Sequence, residues 1–191
     1  LIKSVQDMLK EETWTRATIS NYTKNNLMEL ATIVERAHNE NCANEIQEIC
    51  NEQLANTKDS IIALYISGMI SLKNRTLDNS ALVALVDIFQ KNMKESIVEY
   101  LCQSILDDDP NNKFALRTLA EYYRSINDEK VWELYNQIVK LDFEEADLTK
   151  ALAEHYEAEG DNETAIEYYK KAILRYVNIK NMNATKELWT K

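Results

Sequence analysis

One apolar triplet recurs along this chain at a nearly fixed interval. Leu85, Val86 and Phe89 return 34 residues later as Leu119, Ala120 and Tyr123, and 33 residues after that as Leu152, Ala153 and Tyr156. A period of that length is one helix, a turn and a second helix. Each such pair is too small to hide its own apolar side, so it persists by leaning on the next. The clearest copy is 146–179. Its first helix carries Leu152, Ala153 and Tyr156, its turn is Glu159-Gly160-Asp161-Asn162, and its second helix carries Ala165, Tyr169 and Ala172. Small residues suit a close helix crossing, and aromatics fill the space on either side. Gly160 ends the first helix, where a positive φ costs least. Asp161 is placed to cap the second by accepting from its first free amides.

Breakers are scarce: 2 Gly and 1 Pro in 191 residues. Sheets, tight hairpins and linkers have little material to form from, so the expected fold class is all-α. A hydrophobic content of 45% supplies apolar faces, and an array of hairpins, an α-α superhelix, needs no single large core. The expected organisation is a degenerate helical region over 1–76, three repeats over 77–180 (79–112, 113–145 and 146–179), and the start of a further or capping helix over 181–191.

Spacings of three and four predict the remaining helices. Residues 1–13 carry Ile2, Val5, Met8 and Leu9. Residues 27–38 carry Leu27, Leu30, Ile33, Val34 and Ala37, and 43–54 carry Ile46, Ile49, Cys50 and Leu54. Thr15 or Thr18 is a candidate cap in the polar stretch that follows the first helix, and Asp59 is a candidate cap before 61–72. That stretch is nearly all apolar and is expected to be covered on most sides; it is too short to span a bilayer. Helix 94–106 presents Val98, Leu101, Cys102 and Ile105, and Pro110 closes its repeat. In the next repeat Asn127 and Asp128 make the turn, and Trp132, Tyr135, Ile138 and Val139 line the second helix. Trp132 stands where Ala165 stands in the last copy, so the pair is expected to pack more openly or to shift. Leu188 and Trp189, in a last helix over 183–190, need a covering surface.

Net charge is −10, which repels phosphates and argues against a nucleic-acid duplex as partner. Cys42, Cys50 and Cys102 match no zinc spacing and read as reduced structural thiols. His38 and His155 are far apart in sequence, and His155 reads as structural. Two glycines cannot make a phosphate loop. No catalytic site, metal or cofactor is therefore expected. Asp107-Asp108-Asp109 reads as a solvated acidic loop, because a hard cation needs several convergent oxygens. Tyr122, Tyr123, Tyr168 and Tyr169 read as packing residues rather than a stacking platform. The chain starts at Leu1 without methionine and stops inside an amphipathic helix. It is expected to be a fragment of a longer, cytoplasmic protein that does not enter a membrane.

The 146–179 unit resembles a tetratricopeptide repeat. Three stretches together, Glu11-Glu12-Thr13-Trp14-Thr15-Arg16, Ile97-Val98-Glu99-Tyr100-Leu101-Cys102 and 143–176, resemble the long helical N-terminal extension of Gre-type transcription elongation factors in spirochaetes. That resemblance implies a protein partner, RNA polymerase or a protein bound to it. It implies no transcript-cleavage chemistry here, because neither the acidic-tipped coiled coil nor the small globular domain of the Gre part is in the sequence. In tetratricopeptide arrays the first helices line a concave face. Carried across, that face presents Phe114, Arg117, Glu121 and Arg124 from the middle unit and Asp147, Lys150, Glu154 and Glu157 from the last. Glu121 and Glu154 stand where a chaperone-tail clamp has asparagine, so a C-terminal carboxylate is disfavoured. The alternative is a tetratricopeptide adaptor unrelated to transcription, in envelope or secretion assembly.

Overall fold

The computed structural model describes residues 1–15, 19–180 and 182–190; the cap expected at Thr15 or Thr18 lies outside the described side chains. Eleven α-helices and one short 3-10 turn are described, with no strand among the described residues. The fold is all-α, and its contacts divide it into two compact units, Leu1–Pro110 and Asn111–Lys191.

The first unit holds α1 (Ile2–Thr15), α2 (Lys24–Asn39), α3 (Ala43–Asn56), α4 (Ile61–Lys73), α5 (Ser80–Lys91) and α6 (Glu95–Asp108). Helix α4 is its axis. Every residue from Ile61 to Ile70 is buried, as is Leu72, and α4 packs against all five other helices of the unit. This is what a helix apolar on all sides requires. Gly68 sets the closest approach: a Cβ there would lie 2.6 Å from Leu82 Cδ2 and 2.7 Å from its Cγ on α5. The helix starts at Ser60, whose hydroxyl accepts from Ala63 N–H at 3.2 Å, so the cap is Ser60 rather than Asp59. Both are good cap types, and only the backbone decides between neighbours. A second group completes this end. Glu12 of α1 accepts from the Ser60 hydroxyl and from Ile62 N–H, placing a carboxylate at the positive end of the helix dipole.

The second unit holds α7 (Lys113–Ser125), α8 (Lys130–Leu141), α9 (Ala146–Ala158), α10 (Asn162–Asn178) and α11 (Met182–Trp189). Each helix packs chiefly on the next in sequence. Leu116, Leu119, Ala120 and Tyr123 are buried on α7, and Leu152 and Ala153 on α9. Gly160 has φ +83° and Asp161 accepts from Thr164 N–H at 3.1 Å, as the turn chemistry predicts.

Positive φ also occurs at Asn41, Arg75, Met93, Asn127 and Lys180. Each sits just past a helix, where a left-handed residue lets the outgoing chain turn back on the last carbonyls. The amide of the following residue then bonds far back, as from Cys42 to Ala37 O, Thr76 to Ser71 O and Lys94 to Phe89 O. A chain with two glycines makes most of these turns with side-chain-bearing residues.

Candidate functional site

The eight residues assigned to a concave face fall into two stripes of the second unit, spaced three, four and three along α7 and along α9. On α7, Phe114 and Arg117 are half-buried, while Glu121 and Arg124 are exposed. On α9, Asp147, Glu154 and Glu157 are exposed and Lys150 is half-buried. Much of this set is engaged within the fold. Asp147 accepts from the Tyr176 hydroxyl and Glu157 from the Tyr169 hydroxyl, both on α10. Lys150 lies 3.8 Å from Glu154, one turn along.

Arg117 is the most committed of them. It pairs with Glu145 and lies 3.5 Å from Asp142, in the elbow joining α8 to α9. Lys113 reaches Asp142 at 3.3 Å. From the other side Arg175 of α10 donates to Val139 O at 2.7 Å, Glu145 O at 3.2 Å and Thr149 Oγ1 at 2.6 Å. The Asp142 carboxyl is held below its ordinary value, first by the Glu144 N–H it accepts, then by Lys113 and Arg117. Burial pulls the Arg175 guanidinium down, against the charges of Asp142 and Glu145. Three cations thus fix one elbow, and Arg117 is as much a joint as a surface group. Arg175 was not legible as such, because an arginine on an amphipathic helix looks like any solvated cation.

Trp132 is half-buried on α8. Its ring lies flat on His155 of α9, centroids 4.0 Å apart and planes 7° from parallel. The bulk is moved from within one hairpin to the seam between two. The seam continues through Tyr156 and Tyr168. Between them sits Asn136 of α8, which donates to Tyr156 Oη at 3.2 Å and accepts from Tyr168 Oη at 2.6 Å. His155 Nε2 lies 3.6 Å from Glu159. His155, Tyr156 and Tyr168 are all half-buried along this seam.

Two concavities are described in the first unit. One, of about 280 Å³, lies along α3, α4 and the start of α5, where Gln47 donates to Ser71 Oγ and Ser67 donates to Asn51 Oδ1. The other, of about 400 Å³, lies at the starts of α2 and α6, and its Lys94 is spent on Ser20 O at 2.6 Å. Asp107 and Asp108 belong to the last turn of α6 rather than to a loop, and Asp108 pairs with Lys73 at 3.0 Å. Cys50 is buried, and its thiol is pushed up to about 12, first by burial and then by the charge of Glu12. Among the described residues no group of three His, Cys, Asp or Glu side chains is placed to hold a metal ion. No described helix is long and apolar enough to cross a membrane.

No protein-family model matches this chain. Two crystal structures of MamA superpose with TM-scores of 0.38 and 0.36, each at 17% identity. They cover 94% and 95% of this chain and 89% and 84% of theirs; likeness at that level fixes neither fold nor function. Sequence relatives are nearer. The chain is 43% identical over 170 residues to a GreA-associated domains protein of Treponema pallidum, covering 89% of this chain and 26% of that one. It is 34% identical over 191 residues to the transcription elongation factor GreA of Borreliella burgdorferi, covering 100% of this chain and 21% of that one. The chain therefore spans about a quarter or less of each of these relatives, and it is a helical-repeat sequence similar to spirochaete proteins named for GreA.

Proposed function

We propose that this chain is a non-catalytic protein-interaction module, the helical-repeat part of a Gre-linked transcription factor. In this reading it acts in the cytoplasm and contacts RNA polymerase, or a protein bound to it, through the outward stripes of α7 and α9. The observation that carries the reading is similarity along nearly the whole chain to two proteins named for GreA. Stacked hairpins support an interaction role, since they present long helix faces rather than a closed pocket. The exposed members, Glu121, Arg124, Asp147, Glu154 and Glu157, mix four acids with one arginine, which suits a helix or extended peptide of opposite pattern. The repeat boundaries 79–112, 113–145 and 146–179 belong to this proposal, as a division by sequence recurrence rather than by packing.

The test is direct. The purified chain is mixed with host core RNA polymerase and followed by interferometry at low and at high salt. Binding at low salt, weakened in an Arg124→Glu, Lys150→Glu double variant of unchanged circular dichroism, is the expected result. Absence of binding at low salt ends the polymerase reading. Arg117 is left untouched, because its loss would release the elbow as well as alter the surface.

A further inference from the structure

The run Thr149-Lys150-Ala151-Leu152 of α9 recurs 36 residues on as Thr185-Lys186-Glu187-Leu188 in α11. The first and last residues of both runs are buried. Thr149 and Leu152 are fully buried, and Thr185 and Leu188 are 7% and 5% exposed. Leu188 sits with Ala146, Ala172 and Tyr176, flanked by Tyr169, Ile173 and Ala184. Helix α11 therefore lies on the α9–α10 hairpin as the first helix of a repeat lies on the hairpin before it. The next residue breaks the parallel: Ala153 is fully buried, whereas Trp189 is 73% exposed.

We propose that α11 is the first helix of a further hairpin, and that its Trp189 side receives an antiparallel amphipathic helix of the class of α10. The occupant carries Gly, Ala or Ser opposite the indole. Two observations select it over a second copy of the chain. In this unit α7 and α9 each pack against the helix that follows them. The relatives are also several times longer than the stretch matched here, so proteins of this kind have room for further hairpins. A small residue is required because the indole replaces the methyl of Ala153. Volume added on one helix has to leave the other if the axes are to stay about 8–10 Å apart.

The register is tested by completing the hairpin. A copy of residues 156–178 is appended after Lys191, which places it three residues beyond Trp189 as Tyr156 is three beyond Ala153. With Trp14→Phe and Trp132→Phe, Trp189 alone reports. The expected result is a severalfold fall in acrylamide quenching of Trp189, a gain in helical ellipticity, and melting of the added helix together with the rest of its unit. A parallel Trp189→Ala form, which restores the Ala153 arrangement, gains the same ellipticity. An appended segment that stays unstructured in both forms overturns the proposal. So does a dimer of the unextended chain, seen by sedimentation, that Trp189→Ala abolishes.

Discussion

The two units bury similar side chains by different means. In residues 1–110 a single helix, α4, is wrapped by five others, and its fully buried residues include Tyr65, Ile66 and Ile70. In residues 111–191 no helix has that status; each packs chiefly on its sequence neighbours within the unit. The first arrangement concentrates stability in one element and lets every helix of its unit feel a change there. The second spreads stability along joints, so that polar contacts at an elbow weigh as much as apolar ones.

Four experiments sharpen that contrast. Ile66→Ala should have the largest effect, about 2–5 kcal/mol from lost burial plus the cavity left behind. It should appear in urea denaturation as a single shifted transition for the first unit, with amide exchange in the second unchanged. If only α4 loses protection, the hub account fails. Next, Arg175→Met should cost roughly 2–3 kcal/mol in the second unit, because the carbonyls of Val139 and Glu145 lose a charged donor. Protection should fall at the elbow first.

A third effect depends on pH. Burial raises the Tyr65 hydroxyl, and burial with the nearby Glu12 raises the Tyr22 hydroxyl and the Cys50 thiol. These groups fold in their neutral forms. Their contribution is complete below the unfolded values, 9.0 for the thiol, and is lost as pH rises above them, toward about 12 for the thiol. A denaturation midpoint for the first unit that holds constant over that window would contradict the burial of these groups. The smallest effect is a gain. Met93 is 82% exposed at φ 56°, so Met93→Gly should relieve left-handed strain and stabilise by up to about 1 kcal/mol. The same change at Leu77, also exposed but not among the positive-φ residues, should give no such gain.

What could be read beforehand follows the range of the interactions. Gly160 and Asp161 act within a few residues, so the 159–162 turn was legible, as was α4 from its unbroken apolar run. The turns at Arg75, Met93 and Lys180 were not, because nothing in those residue types signals a positive φ. Trp132 reads as large for its place, but its stack on His155 joins two helices and has no local trace. For the candidate site, spacings of three, four and three set Phe114, Arg117, Glu121 and Arg124 along α7. That Arg117 serves Asp142 and Glu145 required the elbow, 25 and 28 residues away.

The carboxylate of Glu12 at the start of α4 has a consequence for the order of assembly. The contact spans 48 residues to Ser60 and 50 to Ile62, so the most deeply enclosed helix acquires part of its first-turn pairing only after the chain has closed a long loop. A Glu12→Ala protein would keep every apolar residue of α1 and α4 and still leave that first turn short of an acceptor. Its first unit should consequently fold more slowly and fray from within rather than from its ends.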